Sequence, residues 1–160
     1  MVENTIQGLS IALFLISIIV GFLFKSFRMI LIALVVNFVP LLFILGLMGF
    51  LSIDMKIATS IIFTIAFGIA VDDTIHYIHR FNLEFSQTKD LKLSVENAHK
   101  SIGRAMFYTS TIIMVGFSVL VLSSFIPTIY FGLLTVIAMF MAIAMDLLLL
   151  PILLLSVTKK

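Results

Sequence analysis

The stretch Gly68-Ile69-Ala70-Val71-Asp72-Asp73-Thr74-Ile75-His76 places two adjacent carboxylates inside a run that is otherwise apolar enough to cross a membrane. On insertion scales an Asp at the centre of a membrane helix costs roughly 2.5–3.5 kcal/mol, so the pair costs about 5–7 kcal/mol. Ile57, Ile61, Ile62, Phe63, Ile65, Phe67, Ile69, Val71, Ile75 and Ile78 each return about 0.3–0.6 kcal/mol, which roughly cancels that penalty. Alone, such a helix inserts only marginally. It calls for neighbours that shield or pair the carboxylates, and proton relays and ion pathways are a common reason for the arrangement.

The rest of the chain supplies the setting. Its 160 residues are 62% hydrophobic and 11% charged, outside the range of soluble domains and within that of integral membrane proteins. Phe, Leu, Ile and Val occur in long runs without strict alternation, which favours helices over the alternating strands of an outer-membrane barrel. The absence of Cys excludes disulfides, thiol catalysis and cysteine metal sites. A formal charge of +2, scattered along the chain, excludes a nucleic-acid partner. The first apolar run, Leu9 to Phe24, is preceded by Glu3 rather than a basic leader and followed by Lys25 and Arg28, so it reads as a retained helix rather than a cleaved signal.

The expected fold is an all-α integral membrane protein with five spans, at 7–25, 29–51, 57–79, 103–125 and 130–157. With the start of the chain outside, Lys25, Arg28, Arg80, Lys89, Lys92, Lys100, Arg104, Lys159 and Lys160 all fall inside and only Lys56 falls outside, which assigns the orientation and a cytoplasmic C-terminus. The few residues ahead of the first span must then lie outside with nothing to lead them across, which suggests the back part of a longer protein. In the second span, Pro40 permits a kink, with Asn37 bonded to a neighbour. Gly46 and Gly49 suggest close helix contact. The polar connector 80–102 contains Leu91, Val95, Ala98 and Ile102 on one stripe and Lys92, Glu96 and Lys100 on another, the pattern of a short amphipathic helix at the inner surface. In the fourth span, Tyr108, Thr109, Ser110 and Thr111 either bond locally or face the carboxylates and pass a proton. Asp146, ahead of Pro151, reads either as a functional carboxylate or as a structural acceptor for backbone groups freed by the Pro.

At 100° per residue, Gly68, Asp72, His76 and His79 share one face of the third helix, while Asp73 and Arg80 point roughly a quarter turn away. A line of carboxylate, imidazole and imidazole thus descends to the inner surface, with Gly68 allowing a neighbour to approach. Two carboxylates side by side in a low-dielectric setting resist double ionisation and titrate as a coupled unit, which suits a proton carrier served by His and hydroxyl groups. Asp72, His76 and His79 also have the spacing of a two-His, one-carboxylate metal set, although a membrane di-iron centre needs more ligands than the chain offers. His76 and His79 at a helix end also suit snorkelling to the interface.

The Gly68-to-His76 run resembles the glycine-to-paired-Asp signature of the resistance-nodulation-division (RND) superfamily, in particular its MmpL, hopanoid-exporter and Patched-like branches. Further landmarks occur in the order that family shows: Lys25-Ser26-Phe27-Arg28, Asn37 with Pro40, Ser101-Ile102-Gly103-Arg104, Phe131-Gly132-Leu133-Leu134, and Asp146 through Pro151. The resemblance covers essentially the whole chain. It implies five helices from one half of a twelve-helix transporter, the second half being favoured, and a unit similar to the sterol-sensing domain. It further implies a non-enzymatic, proton-driven exporter of lipids or other hydrophobic molecules in the bacterial cytoplasmic membrane, with protons as the coupling ion and no other cofactor. By matched position Asp72 and Asp73 carry the proton, Ser110 or Thr111 is their hydroxyl partner, and His76 extends the relay. His79, Arg104 and Asp146 are secondary candidates. The partners implied are membrane lipids, a hydrophobic substrate, and the remaining half of the transporter or an oligomeric partner. A lipid-sensing or assembly module without transport is the alternative.

Overall fold

The structure is a computed structural model and describes residues 26–53 and 57–157, together with Gln7, Ile11, Phe14, Ile18 and Gly21, each of these five being helical. Most of the first expected span lies outside the described residues, as do Glu3, Lys25, Lys56, Lys159 and Lys160 from the charge distribution. Among the described residues every regular element is helical. Helix α1 is Phe27–Phe50, α2 is Ile57–Thr88 and α3 is Leu91–Ala98, which runs through a π-helical turn, His99–Gly103, into α4, Arg104–Ser118. A 3₁₀ turn, Val119–Leu122, ends that rod. Helix α5, Ile126–Ala144, runs through a second π-helical turn, Met145–Leu149, into α6, Leu150–Val157.

Three described helices are long and apolar enough to cross a membrane: Phe27–Phe50, the continuous Leu91–Leu122, and Ile126–Ser156. They contain the expected second, fourth and fifth spans almost entirely. The carboxylate-bearing 57–79 segment is the first part of α2, which is not among these three. The last rod begins earlier than expected, at Ile126, because Pro127 sits in its first turn, where a missing N–H costs nothing. Its π turn has an equally local cause. Pro151 has no N–H to donate, and just ahead of it the Leu150 N–H reaches back five residues to the Met145 carbonyl.

The connector departs from expectation. Instead of a separate helix lying on the membrane surface, α2 continues to Thr88, Lys89 turns the chain with φ 55°, and Asp90 caps α3 by accepting from the Leu93 N–H at 3.0 Å. The stripe expected to face the membrane instead packs inward. Val95 and Ala98 are buried with Ile78 and Phe81 of α2, and Leu91 and Ile102 pack against that cluster. The end of α2 carries its own apolar stripe, so two amphipathic faces cover one another and neither needs lipid. Glu84 fastens this hairpin, bonding Arg80 at 2.6 Å and the Asn97 side chain at 3.1 Å. Lys92, Glu96 and Lys100 are exposed, as their face of the stripe requires.

Two apolar clusters fill the bundle. One joins Val36, Tyr77, Phe81, Met106 and Leu150, and the other joins Ile44, Ile62, Phe67 and Leu134. On α1, α2 and the last rod a buried polar residue lies among these side chains: Asn37 and Thr74 between the two clusters in sequence, and Asp146 between Ile143 and Leu150 of the first. Helix α4 packs mainly on α5 and hardly touches α2, which leaves a cleft between α2 and α4. The close approach of α4 and α5 depends on Gly132, where a Cβ would lie 2.8 Å from both Leu120 Cβ and the Phe117 carbonyl oxygen. Gly46 and Gly49, by contrast, have nothing within 4 Å of such a Cβ, so the close contacts expected there are absent among the described residues. Gly132→Ala is accordingly expected to cost about 1–3 kcal/mol by overpacking. Gly46→Ala should change stability by less than about 0.5 kcal/mol. Unfolding of both variants in mild detergent measures the difference.

Candidate functional site

Successive residues of a helix rotate by about 100°, so Asp72, Asp73 and Thr74 must face three different neighbourhoods. Asp72 turns to the open cleft and its side chain is 71% exposed. The His76 Nε2 lies one turn along, 3.5 Å from Asp72 Oδ1, a loose contact that becomes an ion pair when the imidazole is protonated. Gly68, Ile102, Met106, Thr109 and Ile113 line the same cleft, whose volume is about 580 Å³. The close approach expected at Gly68 is absent among the described residues: a Cβ there would meet nothing within 4 Å, and the residue lines the cleft.

Asp73 is half-buried and turns toward α4, where the Ser110 hydroxyl donates to Asp73 Oδ2 at 3.4 Å. Of the four consecutive polar side chains on that helix, Ser110 alone is buried and reaches a carboxylate. Thr109 donates to the Ala105 and Met106 carbonyls and Thr111 to the Phe107 carbonyl at 2.6 Å, so both bond their own helix. The choice between Ser110 and Thr111 thus falls to Ser110. Asp73 also lies near enough to Asp146 to interact with it electrostatically.

Thr74 faces the interior and is fully buried. Its Oγ1 accepts from the Asn37 amide at 3.0 Å and lies 2.6 Å from Asp146 Oδ1 and 3.0 Å from the Ala70 carbonyl. Asn37 donates as well to the Ala33 carbonyl at 2.7 Å. A hydroxyl has one proton, and here it has two acceptors within reach. With Asp146 ionised the Thr74 proton serves Oδ1. With a proton on Asp146 the carboxyl donates to Thr74, whose own proton turns to Ala70. Asn37 Oδ1 and Asp146 Oδ2 are buried without a partner among the described residues. Asn37 does bond a neighbouring helix, as its position suggests. Asp146 bonds a side chain of α2 rather than the backbone groups considered for it.

The remaining candidates scatter. His79 is exposed and makes no hydrogen bond among the described residues, and it does not line the cleft with Asp72 and His76. No group of three His, Asp or Glu side chains suited to a metal ion comes together among the described residues, so the Asp72, His76 and His79 spacing does not assemble a ligand set. Arg104 is exposed on a different cleft, beside His99, Lys100 and Tyr108. Thr74 went unrecognised in the sequence despite sitting inside the central motif. Its signal was its place on the stripe of Val71 and Ile78, which faces the bundle.

No family model matches the chain, and no solved structure does. The chain is similar to a proposed membrane protein of Methanocaldococcus jannaschii, 33% identical over 78 residues, a stretch that makes up 49% of this chain and 20% of that relative. The match thus spans about a fifth of the relative's length. Together with the three long apolar helices it makes this a membrane protein.

Proposed function

We propose that the chain forms the transmembrane part of a proton-driven exporter of the RND type, moving lipids or other hydrophobic molecules across a bacterial cytoplasmic membrane, with its C-terminus cytoplasmic. The observation that carries this reading is the division of labour between the paired carboxylates. Asp72 faces an open cleft with His76 beside it, and Asp73 is half-buried within reach of a hydroxyl on another helix. A proton that reaches the pair passes from Asp73 to Asp72 and leaves through His76 toward the inner surface. Ionised Asp73 holds Ser110, and protonated Asp73 loosens it. Because α2 and α4 pack sparsely along the cleft, that hydrogen bond couples the charge of the pair to the width of the cleft. The hydrophobic substrate, membrane lipids and the other half of a transporter, or an oligomeric partner, are the partners this function needs.

Lipid sensing or assembly without pumping is the second reading. It is favoured by the apolar walls that Ile69, Ile102, Met106 and Ile113 give the cleft. Proton flux separates the two. In liposomes carrying the chain and its partner half, with a pH-sensitive dye inside, the double variant Asp72→Asn/Asp73→Asn is expected to reduce flux to the background of empty vesicles. Flux unchanged by the double substitution removes the relay. Lipid binding retained by a chain that never carries protons supports the sensing role.

A further inference from the structure

A second cleft lies where α3 passes through its π turn into α4, about 370 Å³ in volume and lined by His99, Lys100, Gly103, Arg104, Phe107, Tyr108 and Leu147. Its size falls in the range of roughly 300–1,000 Å³ common for small-ligand sites. Two π-helical turns meet there, His99–Gly103 and Met145–Leu149. Such turns are frequent at functional sites because the wider helix re-aims its side chains. At their contact a Cβ on Gly103 would lie 3.2 Å from Leu147 Cδ2, so Gly103 lets the two rods close into a floor.

The chemistry of the rim is one-sided. His99, Lys100 and Arg104 supply the basic groups and none of the lining residues carries a carboxylate. His99 Nδ1 is 3.3 Å from the Tyr77 hydroxyl, Lys100 pairs with Glu96 at 2.6 Å, and Arg104 has no partner among the described residues. From Ala105 to Leu122 the sequence contains no Lys, Arg, Asp or Glu, so Arg104 is the last charge before the apolar span. Phe107 and Tyr108 follow directly, both more than half exposed. A guanidinium at the membrane boundary, a Tyr at headgroup level and an apolar wall leading into the hydrocarbon match the parts of a phospholipid in order.

We propose that this cleft binds an anionic phospholipid, its phosphate on Arg104 and Lys100 and its acyl chain along Phe107 and Leu147. The site is independent of the carboxylate pair and of any transport. Basic groups at a membrane surface contribute about 1 kcal/mol each, or about fivefold in affinity. The purified chain in uncharged detergent, titrated with fluorescent phosphatidylglycerol or phosphatidylcholine, is expected to prefer the anionic lipid. Arg104→Gln should weaken phosphatidylglycerol about fivefold, Arg104→Gln/Lys100→Gln about 25-fold, and Arg104→Lys much less. With the unmodified chain, salt near 1 M should erase the preference. Inorganic phosphate should displace the lipid only weakly, since it lacks the acyl chain. Equal binding of the two lipids, a preference that survives both substitutions, or displacement by phosphate as effective as by free phosphatidylglycerol would each overturn the assignment.

Discussion

Thr74→Val is expected to destabilise the protein by about 2–3 kcal/mol, more than any other change of equal size on α2. Valine keeps the shape of threonine and removes only the hydroxyl. That hydroxyl is the junction of three rods, accepting from Asn37 on α1 and lying 2.6 Å from Asp146 on the last rod. Without it Asn37 retains its bond to the Ala33 carbonyl, but the Asp146 carboxylate, whose Oδ2 is already unpartnered, loses its only hydrogen bond among the described residues. A buried acceptor left unmet costs about 1–3 kcal/mol, and hydrogen bonds between membrane helices average about 0.6 and reach about 1.7 kcal/mol. Both partners of Thr74 are affected, which places the total at the upper part of that range. Thr74→Ser keeps the hydroxyl and should retain most of the stability. Asp146→Leu added to Thr74→Val removes the orphaned carboxylate and should recover part of the loss, giving a coupling of about 0.5–3 kcal/mol in a double-mutant cycle. Denaturant unfolding in mild detergent of these variants, and of Asp146→Leu alone to close the cycle, measures the effects. A Thr74→Val protein as stable as its parent means that the polar layer does not hold the rods together.

That polar layer shows where the sequence is readable and where it is not. Helical periodicity and the length of apolar runs depend on neighbours a few residues apart, and they located α1, α4 and the α5 rod with errors of a few residues, while missing that α4 continues α3 in one rod from Leu91. The rotation of 100° per residue separated Asp72 from Asp73 correctly, because both sit on one helix. Thr74 and Asp146 are 72 positions apart, and nothing local tells a Thr that bonds its own backbone from one that bridges to another helix. Ser110 and Thr111 posed the same problem, since adjacent hydroxyls point in different directions and only the packing of α4 on α5 decides which meets Asp73. The connector failed for a related reason. An amphipathic stripe states that something apolar will cover it, and lipid and the end of α2 satisfy that demand equally. Glycines at 46, 49 and 68 looked like contact points because membrane helices use them so, whereas Gly132, where α4 and α5 touch, stood in the sequence only as one of several landmarks of the resemblance.

The proposed relay predicts that Asp73→Asn and Asp72→Asn made in the assembled transporter both lose proton-coupled export by at least about 100-fold while still inserting, because Asn has the size of Asp without a site for the transferred proton. The two carboxylates then separate through their neighbours. Ser110→Ala removes the hydroxyl that donates to Asp73 at 3.4 Å and leaves Asp72 untouched. A hydrogen bond to a charged group is worth about 1.5–3 kcal/mol, and at 3.4 Å the lower end applies, which corresponds to about a tenfold loss of turnover. Ser110→Thr, which keeps the hydroxyl, should restore it. Thr111→Val should do nothing, since Thr111 bonds the Phe107 carbonyl of its own helix. His76→Gln tests the other side: it leaves Asp73 alone and should slow proton release to the inner surface, most where departure through the cleft limits the rate. Substrate-driven pH change across proteoliposomes measures all of these. Ser110→Ala with full activity beside an inactive Asp72→Asn would move the working proton to the cleft-facing carboxylate and leave Asp73 a structural acceptor.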